Sequence, residues 1–223
     1  MKNKLIIRAL TRFLSGLIII IGLIFIPAGT FKFMNGWLFI GLLFVPMFIM
    51  GIVLLLKNPE LLKKRLNSKE NESDQKVVVL IGGIMFLAGF ITAGLNYRLK
   101  WHMLPTGIVA AASVIFLLSY MMYAEVLREN TYLSRTVEVQ EEQKVIDTGL
   151  YGIVRHPMYT ATIFMFLSIP LILGSVISFI IFLIYPFSLA ARIKNEEKVL
   201  EDGLKGYKEY NQKVKYRLIP FIW

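Results

Sequence analysis

The chain contains no cysteine, which removes disulfides, thiolate nucleophiles and cysteine-ligated metals together. Histidine is nearly absent as well. His102 and His156 are the only imidazoles, so a zinc site would need several carboxylates, and no metal is expected. Charged residues make up only 18% of the 223, against roughly 25% in an ordinary soluble domain. Neither a G-x-G-x-x-G turn nor a G-x-x-x-x-G-K-[ST] loop is written anywhere, and no G-x-S-x-G elbow occurs. A soluble dinucleotide fold, a P-loop and an α/β-hydrolase are thereby excluded. No internal repeat or low-complexity tract is evident.

What is present is apolar. Hydrophobic residues reach 56% and the mean hydropathy is +0.62. A soluble core of this size would leave too much of that surface in water, and the same numbers exclude disorder. The sequence predicts an integral membrane protein.

Five apolar stretches can be drawn, at residues 13–28, 37–56, 77–95, 104–123 and 160–190, and none contains an ionisable side chain. The second, third and fourth, at 19 or 20 residues, are long enough for ~30 Å of hydrocarbon, and Pro46 is placed to kink the second. A basic head precedes the first stretch, but no small-residue cleavage pair follows it, so a retained helix is expected rather than a cleaved signal. The last stretch is 31 residues long. As one straight helix it would measure about 46 Å, well beyond a bilayer's need. Pro170 and Gly174 lie near its middle.

Charge decides between one helix and two. A hairpin with both ends on the N-terminal side puts 22 Lys and Arg on that side and 3 on the other. A single crossing would strand the 8 basic residues of the tail on the opposite side. The expected fold is therefore all-α, with four transmembrane helices, a C-terminal transmembrane hairpin and a polar helical tail. The N-terminus and the polar regions would face the cytoplasm. The net charge of +10 is then a topology and lipid-headgroup signal, and no nucleic-acid partner is expected. The polar loops 57–76 and 124–159 are too long for simple turns. The second is locally acidic at Glu138, Glu141, Glu142 and Asp147.

Two strings stand out. The first runs from Asp147 to Tyr159 and contains Gly149, Tyr151, Gly152, Arg155, His156 and Pro157. The glycines permit tight turns, and Pro157 suits the first turn of a helix, which would leave Arg155 and His156 at its start. Alone, these two could simply bind lipid phosphate and cap the helix. The second string is Arg192 to Glu197, in which Arg192 and Glu196 share a helical face while Glu197 points about 100° away. Alone, this is an exposed helical ion pair. The hairpin brings the two strings to one membrane boundary, where ionisable groups often mark function.

The same residues carry a resemblance. The sequence resembles the isoprenylcysteine carboxyl methyltransferase family, part of a wider group that includes phospholipid N-methyltransferases. The family's mark is R-H-P-x-Y, a long hydrophobic stretch and then E-E. Here these are Arg155, His156, Pro157, Met158 and Tyr159, followed by Glu196 and Glu197. Further agreement with the bacterial branch comes at residues 58–62, 130–135, 147–149, 206–207 and 216–220, so the likeness covers roughly 57–223. Residues 1–56 carry no motif and read as a scaffold pair of helices.

The resemblance implies a bacterial cytoplasmic-membrane enzyme that takes a methyl group from S-adenosylmethionine bound within 147–223. Cofactor contacts would come from Arg155, His156, Tyr159, Glu196, Glu197, Gly149 and Tyr151. The acceptor would be lipophilic: a prenylated cysteine, a lipid or a hydrophobic small molecule. Arg192 would orient an acceptor carboxylate, which is already ionised and needs no base. An amine or hydroxyl acceptor would call on His156 or Glu125. Arg128 and Arg135 are secondary candidates for anion contacts, and Tyr207, Tyr210 and Tyr216 read as interfacial anchors. A steroid-reductase-like enzyme using NADPH and a non-catalytic membrane protein remain alternatives. Ionisable residues inside the apolar stretches would be needed for a transport pathway, and there are none.

Overall fold

The computed structural model describes residues 2–66, 73–133, 139–140 and 142–223. The four expected single helices are α1 (Lys2–Ala28), α2 (Met34–Lys57), α4 (Ser73–Arg98) and α5 (Thr106–Glu129). A short amphipathic helix, α3 (Pro59–Leu66), follows α2 directly and buries Leu61 and Leu62, while Lys63 is exposed and half-buried Lys64 donates to Gln140 Oε1 at 2.6 Å. Helix α2 continues through Pro46. Among the described residues there is no strand, only an isolated antiparallel bridge between Met103 and Ser175.

The 31-residue apolar run is folded back, as the charge distribution predicts. Helix α6 (Pro157–Ile172) ends at a turn in which Gly174 has φ +77°, a left-handed conformation that suits glycine. Ser175 then caps α7 (Val176–Phe182) by accepting from the Ser178 amide at 3.2 Å. Only Leu183 separates α7 from α8 (Ile184–Gly203), and together they form one membrane-length span, Val176–Gly203. The turn is pinned from outside, because the Leu104 amide donates to the Gly174 carbonyl at 3.1 Å. Among the described residues, five helical stretches are long and apolar enough to cross a membrane. The tail adds α9 (Tyr207–Lys213), entered through Gly206 at φ +89°. The chain is an all-α integral membrane protein.

Within lipid, apolar surface gains little from leaving its surroundings, so helices associate through close packing, small residues and buried hydrogen bonds. The core shows all three. Phe39, Phe90, Phe116 and Phe182 are almost wholly buried; Phe39–Phe116 and Phe90–Phe182 meet edge to face, as do the Phe86 and Phe182 rings, 5.3 Å apart at 90°. Gly89 lies directly under the Phe182 ring, and the Ser178 hydroxyl donates to the Gly89 carbonyl at 2.8 Å. Gly94 lets α4 touch the backbone of α1: a Cβ there would stand 2.5 Å from the Ile24 carbonyl oxygen. Many large apolar side chains point outward instead, such as Ile18 at 69% and Leu80 at 62% exposure, as suits helices solvated by lipid.

Gly94→Ala should force α1 and α4 apart, costing about 1–3 kcal/mol because the obstacle is backbone. Gly83→Ala, whose Cβ would enter open space, should be neutral or mildly stabilising. Thermal unfolding of both variants in detergent checks this, and equal melting temperatures would contradict the packing.

Candidate active site

Helix α6 begins with Pro157 in its first turn and His156 in the N-cap position, yet the His156 side chain makes no capping hydrogen bond. Its ring turns toward α8 instead. His156 Nε2 lies 3.2 Å from Glu197 Oε1, which also accepts from Arg155 Nε at 2.8 Å. The other oxygen, Oε2, accepts from Arg217 Nε at 2.9 Å and lies 2.8 Å from Arg217 Nη2. One carboxylate thus gathers an imidazole and two guanidiniums. Glu197, Arg155 and His156 are all buried, at 4%, 7% and 5% exposure.

The backbone reinforces this cluster. The amides of Arg155 and His156 donate to the carbonyls of Tyr216 and Arg217, both at 2.9 Å. Arg155 Nη1 donates to the Val214 and Lys215 carbonyls at 2.8 and 3.1 Å, and the Thr160 hydroxyl to the Leu218 carbonyl at 2.7 Å. The segment before α6 and the tail after α9 are therefore stitched together across some 60 residues of sequence.

Arg192, Glu196 and Leu200 recur at four-residue spacing on α8 and, with Leu204 just past its end, line one wall of a cleft. At its α6 end the Tyr159 hydroxyl donates to Glu196 and accepts from Arg192 Nε at 2.9 Å. The rings of Tyr159 and His156 stack with centroids 5.7 Å apart. Glu196 keeps 24% of its side chain exposed, against 5% for Glu197. The two adjacent carboxylates have different fates: one is consumed by the protein, and the other faces the cleft.

The opposite wall comes from the segment between α5 and α6. Asn130, just past α5, donates to the Tyr151 hydroxyl at 3.0 Å, and the Tyr210 hydroxyl donates to the Tyr151 carbonyl at 2.7 Å. Gly149 (φ +51°) starts a one-turn 3-10 helix, Gly149–Gly152, against Glu129. A Cβ on Gly149 would fall 1.5 Å from Glu129 Oε1, while Glu129 Oε2 accepts from the Leu150 amide at 3.2 Å. Asp147 pairs with Lys213 at 2.7 Å, and that ammonium holds its carboxyl below the usual range.

All of the expected site residues except Gly149 and Glu197 line this cleft. Gly149 shapes the turn, and Glu197 lies behind the wall it supports. Other expectations are corrected. Glu125 and Arg128 pair with each other on α5 at 2.8 Å, away from the cleft lining. Arg135, Glu138 and Glu141 lie outside the described residues. Tyr207 and Tyr210 are not interfacial anchors. They are buried at 4% and 5% exposure, because α9 folds back on α8 and turns them inward. Tyr216 alone of the three is partly exposed, and its ring packs on Phe221 at 5.3 Å.

Two residues escape a reading of the sequence. Arg217 is one basic residue among eight in the tail, and only its neighbour Pro220 in the Y-R-L-I-P string hints at a fixed geometry. Tyr207 is the other. Among the described residues, its hydroxyl and Asn195 Nδ2 are the buried side-chain polar atoms without a hydrogen-bond partner. Leaving such a group unpaired costs about 1–3 kcal/mol. Burial pushes the Tyr207 phenol well above its ordinary range, so it is a neutral donor at pH 7.

An all-helical membrane protein with a polar cleft where a hairpin meets a folded-back tail is the class that fold and site define. A family model described as the isoprenylcysteine carboxyl methyltransferase (ICMT) family matches residues 108–202. That stretch holds both strings that build the cleft. A solved structure of a eukaryotic intramembrane Ras methyltransferase, ICMT, is similar over 99% of this chain and 86% of that one, with 13% identity and a TM-score of 0.45. No curated protein matches.

Glu197→Gln should cost about 3–5 kcal/mol, since it leaves buried Arg155 without its counter-charge. Glu196→Gln, on a half-open carboxylate, should cost less than about 1 kcal/mol. Chemical denaturation of the two variants in detergent measures the difference, and equal losses would remove Glu197 from the centre of the assembly.

Proposed function

We propose that the protein methylates the carboxylate of a lipophilic acceptor, such as a prenylated cysteine, using S-adenosylmethionine bound in the cleft. The observation that carries this reading is the meeting of the R-H-P-x-Y segment with Arg192 and Glu196 on one cleft, at the end of the membrane helices.

The residues present suit such a cofactor. S-adenosylmethionine carries an ammonium, a carboxylate, ribose hydroxyls and a sulfonium, so its site needs acceptors and donors together. The cleft has a partly exposed carboxylate in Glu196 and phenols in Tyr151, Tyr159 and Tyr207, the last with a buried hydroxyl that has no partner among the described residues. Bound there, the cofactor would supply an electrophilic methyl group on its sulfonium.

The chain's part is alignment. Glu196 accepts from ribose hydroxyls or the ammonium, and Tyr159 fixes the Glu196 carboxylate. Arg192, tied through Tyr159 to the same network, meets the acceptor carboxylate with its planar fork. That carboxylate is ionised at pH 7, so His156 is not required as a base. With Nε2 directed at Glu197, His156 is a positioning residue that holds the start of α6 against α8. Rate enhancement would come from orienting two ligands and excluding water. The excess of Lys and Arg on the cleft side supports a cytoplasmic active-site face.

The test is radiolabelled methyl transfer from S-adenosylmethionine to a prenylated cysteine in vesicles. An ester product releases methanol in alkali, whereas an N-methylated lipid does not. Base-stable product would move the acceptor to the amine class, and no transfer to either would sink the reading. Arg192→Lys should raise the acceptor KM about tenfold while leaving S-adenosylhomocysteine affinity unchanged. Glu196→Ala should weaken that affinity about tenfold, the loss of one charge-assisted hydrogen bond.

A further inference from the structure

The tail helix α9 contributes an unassigned group to the cleft. Tyr207 is 4% exposed, lines the cavity, and has a hydroxyl without a partner among the described residues. Its neighbour one turn on, Tyr210, is equally buried but spends its hydroxyl on the Tyr151 carbonyl at 2.7 Å. One tyrosine is thus structural, and the other keeps an uncommitted donor, among the described residues, buried in the wall of the cavity. Local structure fixes its position: Gly206 at φ +89° turns the chain after α8, and the Tyr207 amide donates to the Leu204 carbonyl at 3.1 Å.

The donors and acceptors around it indicate which atom it serves. Tyr207 lies within electrostatic reach of Arg155, Glu196 and Glu197. Hydroxyls and an ammonium on a ligand have the half-exposed Glu196 to donate to. A phenol held in its neutral form adds what carboxylates lack, an O–H that donates to an anion. Arg155, nearby, is already paired with Glu197, and Lys144 is a cation exposed on the cleft's rim. On the reading that the cleft holds an S-adenosyl ligand, we propose that the Tyr207 hydroxyl donates to that ligand's amino-acid carboxylate, making Tyr207 a binding residue contributed by the tail.

Calorimetric titration of wild type, Tyr207→Phe and Tyr210→Phe tests this with two probes. S-adenosylhomocysteine carries the amino-acid end, and 5′-methylthioadenosine lacks it. Tyr207→Phe should weaken S-adenosylhomocysteine about tenfold, leave methylthioadenosine unchanged, and leave the melting temperature of the ligand-free protein unchanged or raised. Tyr210→Phe should lower that melting temperature, because it loses a hydrogen bond the protein makes to itself. Equal weakening of both probes, or no weakening of either, overturns the assignment. So does a fall in ligand-free stability for Tyr207→Phe, since it would reveal a protein partner. Wild-type protein that binds neither probe would instead refute the methyltransferase reading itself.

Discussion

The structure of the site depends on one carboxylate. Glu197 sits on α8, at the end of the hairpin, and its two oxygens are divided between residues that lie far apart in sequence. Oxygen Oε1 serves Arg155 and His156, and Oε2 serves Arg217. Each of these groups would be costly to bury alone. Together they satisfy one another, and the backbone amides of residues 155 and 156 pair with the tail at the same place. The carboxylate therefore acts as the joint between three segments: the approach to α6, the polar half of α8 and the chain beyond α9.

The remaining geometry follows from that joint. With Glu197 turned inward, the helical repeat of α8 presents Arg192, Glu196 and Leu200 to the cleft. Tyr159, three residues beyond His156, is then placed to bridge Arg192 and Glu196. On the far wall, Gly149 admits Glu129 close enough to receive the Leu150 amide, which fixes the turn that carries Tyr151. Deep in the bundle the logic is different. Gly89 and Gly94 bring α4 onto Phe182 and the backbone of α1, and shape rather than charge holds the helices.

Membrane helices, hairpin and polar tail were legible because length, apolarity and the distribution of Lys and Arg are properties of whole segments. The two strings were legible too, since composition and order set them apart. What could not be read was partnership. Glu196 and Glu197 are adjacent and chemically identical, and only the direction of α8 sends one to the cleft and the other behind it. Arg217 looks like any tail cation until the chain returns to Glu197. Tyr207 and Tyr210 have the composition of interfacial anchors, and α9's fold against α8 turned them inward. Spacing along a helix predicts which residues share a face, but which neighbour that face meets is decided by long-range contacts.

Helix α6 has 16 residues, so it rises about 24 Å, less than the ~30 Å of hydrocarbon in a bilayer. Its partner α5 has 24 and rises about 36 Å from the same pinned end. Arg65 reaches both Met158 at the start of α6 and the Tyr123 ring partway along α5, which places them at one depth. The polar cleft is consequently recessed below the level where α5 ends. A headgroup on an apolar chain can reach that depth while its chain stays among the lipids. Drawing such a chain into water would cost about 0.8 kcal/mol per CH₂, on the order of 10 kcal/mol for a dozen carbons. On the proposed function, a short α6 would spare a lipid-anchored acceptor its heaviest solvation penalty.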